Sequence, residues 1–209
     1  MQHLQASNIA IALCYQLQPY CSKINIAGSI RRKKAEVGDI EIVCTPNKIK
    51  VGQVSLFGGS TEKVSCKEFH DVVTTFGVIE LGNPDGRQMK ILLPQGIKLD
   101  LFMPQEPDYF RIYAIRTGSS LFSSMVLASS WKRNGWCGTD QGLRKIIDCI
   151  QVGDNKWKVL NTAGQRPPFW ASEEEFFEWL GVKYLHPCLR DIQSTSATYQ
   201  KRNLLNPNQ

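Results

Sequence analysis

Apolar residues at helical spacing open the chain. Ala10, Leu13, Cys14 and Leu17 fall on one stripe and predict a helix over residues 4–18, which Pro19 ends and whose apolar face is expected to cover a sheet. The period then changes. Ile24-Asn25-Ile26-Ala27 reads as a strand running into a Gly28-Ser29 turn, and Asp39-Ile40-Glu41-Ile42-Val43 alternates acid with apolar, as a strand with one polar face does. Residues 45–82 carry the weakest pattern: 69–75 fits a helix or a strand, and Gly58-Gly59 marks a loop. Asn83-Pro84-Asp85-Gly86 is a strong turn signal. Residues 88–93 and 97–102 follow as a hairpin through Pro94-Gln95-Gly96, which sets Asp100 in a central antiparallel strand. Pro104 and Pro107 mark the exit from that sheet. Beyond them the pattern predicts a helix over 109–115 and a longer one over 119–134, burying Leu121, Phe122, Met125, Val126 and Trp131. Ser172 and Glu175 have capping-box spacing, Glu173, Glu174 and Glu175 suit the start of a helix, and Gly181 ends it. Residues 192–209 are polar and are expected to be disordered. The reading is an α+β chain without internal repeats.

The alternating strand carries the first chemistry. Asp39 and Glu41 share one face, where two carboxylates repel unless a cation lies between them. Hard oxygen donors suit Mg²⁺. Asp100 supplies a third carboxylate if its strand is a neighbour, and two ions roughly 3.5–4 Å apart would then serve phosphoryl transfer. Ahead of the acids, the Gly28-Ser29 turn lets backbone N–H groups and a hydroxyl approach phosphate, and Arg31 and Arg32 add fork-shaped cations. Taken alone, either segment also reads as solvated surface, a basic turn or an exposed strand face. Phosphate donors leading directly into paired acids favour a nucleotidyl-transfer site.

The run Gly28-Ser29-Ile30-Arg31-Arg32 through Gly38-Asp39-Ile40-Glu41 resembles the palm motif of the family X DNA polymerases, the polymerase beta-like group. Ile97-Lys98-Leu99-Asp100-Leu101-Phe102 is similar to the third-carboxylate strand of that family, and Arg116-Thr117-Gly118-Ser119 to its palm-to-thumb signature. The segment from Ser172-Glu173-Glu174-Glu175 to Leu180-Gly181-Val182-Lys183-Tyr184 resembles the end of the thumb. The resemblance implies a nucleotidyltransferase palm with a mixed or antiparallel sheet and flanking helices over residues 1–105, a small α+β thumb over 106–191, and a flexible tail over 192–209.

It further implies that Asp39, Glu41 and Asp100 are both catalytic residues and ligands of two Mg²⁺ ions, with Mn²⁺ as a substitute. Asp100 would receive the proton of the primer hydroxyl, directly or through solvent. Ser29, Arg32 and Gly38 would contact the triphosphate, and Thr117, Gly118 and Ser119 would bend beside the sugar, commonly through a cis Gly-Ser peptide, a strained feature when proline is absent. The expected partners are gapped or primed DNA and a deoxynucleoside triphosphate, the expected role gap filling in DNA repair. Glu41 stands where Asp is usual, and Ile115-Arg116 replaces an aromatic pair that polices the sugar. Ser123 and Leu127 occupy positions where Asn and Arg often face the nascent pair. These departures leave room for a second reading, a template-independent nucleotidyltransferase acting on RNA, a small molecule or a protein. A third, a DNA-end-binding module with a decayed site, is disfavoured by the intact acids.

Composition narrows the picture only moderately. With 209 residues, 42% hydrophobic, 21% charged and a formal net charge of +6, the chain has the makings of an ordinary globular protein with a modest basic excess. The cations Lys132, Arg133, Arg144 and Lys145 are expected to meet DNA backbone phosphates, with salt-sensitive binding. Five tryptophans lie in the C-terminal half; most are expected in the core, with Trp136 the candidate for stacking on a base. Seven cysteines, with no Cys-x-x-Cys and an odd count, do not form a disulfide framework and point to a reducing compartment. Cys66 with His70, and His186 with Cys188, each lack the other half of a zinc site. No apolar run approaches the roughly 18 residues that span a bilayer. The expectation is a soluble intracellular monomer, cytoplasmic or associated with a nucleoid or viral factory. Only residues 1–23 precede the palm motif, so a minimal form without a lyase or helix-hairpin-helix region is expected, similar to small viral members of the family.

Overall fold

The computed structural model describes residues 1–53, 60–154 and 156–192. The Gly58-Gly59 loop and the tail from 193 onward lie outside the described residues. The architecture is α+β, with mixed sheets and several helices. The chain divides into two compact units, Met1–Ile112 and Tyr113–Gln209. The division falls inside a helix, past the expected 105/106 boundary.

In the first unit, α1 (His3–Leu17) buries Ala6, Ala10, Leu13 and Leu17, and a short 3₁₀ turn containing Pro19 ends it. The unit's main sheet comprises β1 (Cys21–Ile26), β2 (Asp39–Pro46), β5 (Val78–Leu81), β6 (Gln88–Leu92) and β7 (Lys98–Phe102), in the order β1-β2-β7-β6-β5. Between β1 and β2 sits a single helical turn, α2 (Gly28–Arg31). A separate ribbon, β3 (Lys48–Gln53) with β4 (Ser60–Ser65), leads to α3 (Lys67–Val73), which settles the ambiguous segment around Phe69 as a helix. One face of the main sheet is the core. Ile40, Ile42, Leu99, Leu101, Met89 and Ile91 are fully buried there in one cluster with the apolar residues of α1 and with Phe69 and Val73 of α3. Each such burial contributes about 1.5–3 kcal/mol.

β7 is central, as expected, but it is not antiparallel on both sides. It runs antiparallel to β6 and parallel to β2. The Asn83-Pro84-Asp85-Gly86 turn closes with the Gly86 N–H on the Asn83 carbonyl, 2.9 Å away. At the far end of the unit, Tyr109 is buried and its hydroxyl donates to the Val43 carbonyl (3.1 Å), which seats the start of α4 (Tyr109–Thr117) on the sheet.

The second unit holds a helix in three parts, α5 (Ser120–Phe122), a π-helical stretch (Ser123–Ala128) and α6 (Ser129–Arg133). The hydroxyls of Ser124 and Ser129 donate to the carbonyls of Ser120 and Met125 one turn back, competing for acceptors that a regular helix uses, while the Ser123 hydroxyl donates to the Ile115 carbonyl of α4. The widened turns shift the inward face. Phe122, Val126, Leu127 and Trp131 are buried, whereas Leu121 and Met125 are only half-buried, contrary to the simple helical stripe. Four strands follow, β8 (Trp136–Thr139), β9 (Gly142–Lys145), β10 (Cys149–Gly153) and β11 (Lys156–Val159), ordered β10-β11-β8-β9. Finally α7 (Glu173–Leu180) starts with the Ser172 hydroxyl accepting from the Glu175 N–H (3.2 Å) and ends at left-handed Gly181, φ 67°.

Glu173 at the head of α7 does more than match the helix dipole. Its carboxylate takes two hydrogen bonds from the guanidinium of Arg190, at 2.6 and 3.0 Å, and both side chains are buried. The rings of Phe177, Tyr184 and Phe122 surround the guanidinium at 4.8, 5.1 and 5.8 Å. All seven cysteines are free, and burial pushes the thiols of Cys14 and Cys137 up to about 12. Among the described residues no helix is long and apolar enough to cross a membrane.

The buried pair makes a clear test of the second unit. Glu173→Ala strands a buried cation and is expected to destabilise the protein by about 3–5 kcal/mol in urea unfolding. The double replacement Glu173→Leu with Arg190→Met should recover most of that loss; a double variant as unstable as the single one would contradict this account.

Candidate active site

Register decides where the acids meet. In the parallel β2–β7 pair Glu41 lies directly opposite Asp100, and Asp39 opposite Lys98. Because side chains alternate, Asp39, Glu41 and Asp100 share the sheet face away from the apolar core. On the other side of β7, the antiparallel pairing sets Lys90 of β6 directly opposite Asp100, with its Nζ 3.6 Å from Asp100 Oδ1. Glu41, Asp100 and Lys90 therefore form one charged rung across three strands. Asp100 Oδ1 is buried and accepts no hydrogen bond. Lys98 reaches the other way, to Glu80 of the edge strand at 2.9 Å.

The phosphate-type turn is held beside this rung. The Ala27 N–H donates to the Glu41 carbonyl (2.8 Å), so the chain leaves β1 directly over Glu41. Gly28 then adopts φ 62°, and a Cβ there would lie 2.2 Å from Glu41 Oε2. The left-handed φ favours glycine, and any side chain here would force the Glu41 carboxylate to move. Ser29 follows in α2 with its Oγ buried and without a hydrogen-bond partner. The Arg32 N–H donates to the Gly28 carbonyl (3.1 Å), closing the turn. Gly38 is exposed just before β2, and a Cβ there would meet nothing. The segment leading into Asp39 is fixed by Met1 and His3: Val37 N–H donates to the Met1 carbonyl and His3 N–H to the Ala35 carbonyl, both at 2.9 Å.

Thr117, Gly118 and Ser119 lie in the second unit. Thr117 is fully buried, the Ser119 hydroxyl caps α5 by accepting from the Phe122 N–H, and the Ser119 N–H donates to the Arg190 carbonyl at 3.0 Å. The Gly118–Ser119 peptide is trans, not the cis bond expected; a Cβ on Gly118 would meet the Phe122 ring at 2.4 Å, so close packing is what demands glycine. Leu127 is wholly buried and the Ser123 hydroxyl is engaged by Ile115, so neither presents itself to a base pair.

The four cations proposed for DNA separate. Lys132 and Arg133 are exposed in the last turn of α6. Arg144 is only 2% exposed and donates to the Leu143 carbonyl, which takes it off any surface that DNA could touch. The Lys145 ammonium sits 4.3 Å over the Trp136 ring. Trp136 itself is buried with its ring 5.4 Å from that of Trp179, so it is not a free stacking platform. His70 pairs with Asp85 at 3.3 Å, and His186 Nδ1 accepts from the Cys188 N–H.

Among the described residues no three His, Cys, Asp or Glu side chains form a metal cage as they stand. The carboxylates of Asp39, Glu41 and Asp100 share a face rather than a cage. Their chemistry still fits a hard divalent cation: all three offer oxygen, they come from paired strands, and Asp100 Oδ1 lacks a hydrogen-bond donor. No protein-family model matches the chain, and neither does any curated protein.

The two glycines of the turn and its exit should respond differently. Gly28→Ala is expected to destabilise the fold by about 1–2 kcal/mol in urea unfolding, through both left-handed backbone strain and collision with Glu41. Gly38→Ala should stay within about 0.5 kcal/mol of the parent. Equal effects would remove the argument that Gly28 is fitted to Glu41.

Proposed function

We propose that this chain is a nucleotidyltransferase, and specifically a DNA-directed DNA polymerase resembling family X that fills gaps from a primer 3′-hydroxyl. The observation that carries the reading is the alignment of Glu41 with Asp100 across β2 and β7, with Asp39 on the same face and the Gly28-Ser29 turn against Glu41. Asp39 and Glu41 would hold Mg²⁺ or Mn²⁺, Asp100 joining at one ion. The metal pair, when bound, supplies positive charge that makes the hydroxyl more acidic and offsets charge building at phosphorus.

The chain's own groups account for the rest. The Ser29 hydroxyl, buried without a partner, is available to donate to a phosphate oxygen; Arg32 and the backbone at Gly38 would add further contacts to the triphosphate. Asp100, bearing an oxygen without a hydrogen bond, would take the hydroxyl proton directly or through solvent. In the second unit, the exposed Lys132 and Arg133 suit backbone phosphates, a contact that carries affinity rather than sequence preference.

Extension of a primer across a one-nucleotide gap tests this. With Mg²⁺ and deoxynucleoside triphosphates the parent should extend, and Asp100→Ala should lose activity by about three orders of magnitude or more. Retained extension in the variant would refute the assignment. Incorporation that follows the template base on four templates differing at one position excludes the template-independent alternative; indifference to the template would favour it. Lys132→Ala with Arg133→Ala should weaken duplex binding and reduce its salt dependence by about one phosphate contact per cation.

A further inference from the structure

Lys90 has no part in the reading above, yet it closes the charged rung. It lies opposite Asp100 on β6, and its ammonium is 3.6 Å from the Asp100 oxygen that accepts no hydrogen bond. The two are not equally confined: the Lys90 side chain is 41% exposed and that of Asp100 13%. A long, solvated arm on one side of a half-buried carboxylate can swing away without disturbing the sheet. Lys98 on the same face lies opposite Asp39 but extends to Glu80, and Lys23 of β1, opposite Thr45, extends to Glu106 at 3.3 Å. Lys98 and Lys23 are thus drawn to carboxylates away from the rung, whereas Lys90 is held at the central one.

Resting on the metal-site reading, we propose that Lys90 is a positioning residue, the resident counter-ion of Asp100 in the metal-free protein. Its ammonium offsets the Asp100 charge and holds Asp100 in the rotamer that a divalent cation then uses. A cation entering beside Asp100 meets like charge and displaces the lysine into solvent. Lys90 therefore competes with the metal: it stabilises the empty face and sets a threshold on occupancy. The same charge, within one side chain's reach of the carboxylates, stays available to an anionic ligand once released.

Full-length Lys90→Met, which keeps the apolar stem and removes the charge, separates this role from packing. The probe is Mn²⁺ alone, titrated by electron paramagnetic resonance, without DNA or nucleotide. Lys90→Met should bind Mn²⁺ about three- to tenfold more tightly than the parent, and Lys90→Arg about as the parent does. The gain should shrink as ionic strength rises. In parallel, metal-free Lys90→Met should melt lower than the parent, and Mn²⁺ should raise its Tm by more than it raises the parent's. Unchanged or weaker Mn²⁺ binding in Lys90→Met, with Asp100→Asn still impaired, would overturn the counter-ion role and leave the metal site standing. Parent protein that binds no Mn²⁺, or binds it equally well as Asp100→Asn, would overturn the metal site itself and the inference with it.

Discussion

The parallel pairing of β2 with β7 is the constraint on which the first unit depends. It sets Glu41 against Asp100, an arrangement that is unfavourable by itself, because like charges directly opposite on paired strands destabilise a sheet by up to about 1 kcal/mol. A slip of one residue would break up the acid face but would turn Leu99 and Leu101 out of the core, each burial being worth about 1.5–3 kcal/mol. Apolar burial wins that contest. A slip of two residues would preserve the faces and set Glu41 against Lys98, relieving the repulsion, yet this is not the register observed. The tight β6–β7 hairpin and the bond from Ala27 to the Glu41 carbonyl anchor the strands on both sides. A local electrostatic conflict held in place by packing is the usual mark of a site rather than of a scaffold.

Much of this was legible in the residues. The alternation at Asp39, Glu41 and the hairpin around Pro94-Gln95-Gly96 both appear where the pattern puts them, and the hairpin contains more than was read from it. A turn centred on Gln95 places Lys90 and Asp100 at equal distances, so their pairing could have been found by counting outward. The parallel partner of β7 could not. It depends on a long excursion through β3, β4 and α3, and no local signal sets its offset. In the second unit the simple stripe over 119–134 does not hold because residues 123–128 are π-helical, a stretch where Ser124 and Ser129 also bond carbonyls one turn back. Arg144 and Trp136 misled for a shared reason. Both stand among other cations in sequence and read as a basic surface, whereas a small unit draws even these side chains inward to complete its core.

Arg190 plays in the second unit the organising part that β2–β7 register plays in the first. One residue supplies the cation for Glu173, the filling between Phe122, Phe177 and Tyr184, a donor to the Leu185 carbonyl and the acceptor for the Ser119 N–H. Burying an unpaired guanidinium would be prohibitive, so the charge is matched twice over, by a bidentate carboxylate and by ring faces. The backbone link to Ser119 means that the conformation of the Thr117-Gly118-Ser119 turn is set by the same anchor. Gly118 is then needed for its closeness to the Phe122 ring, which explains the motif glycine without invoking a strained peptide bond.

The charge layout of the acid face separates structural from chemical demands. Were stability the only requirement, Lys90 and Lys98 would both sit between carboxylates, and Lys98 is already opposite Asp39. Instead its ammonium lies 2.9 Å from Glu80 at the edge, where an ion pair between exposed groups contributes little. Lys90 stays at 3.6 Å from Asp100, close enough to offset charge but without a hydrogen bond to bind it tightly. Gly28, meanwhile, removes the one side-chain atom that would push the Glu41 carboxylate away from the turn. Loose neutralisation by Lys90 on one side of the rung and clearance at Gly28 on the other are what the β2–β7 register leaves beside Asp100 and Glu41.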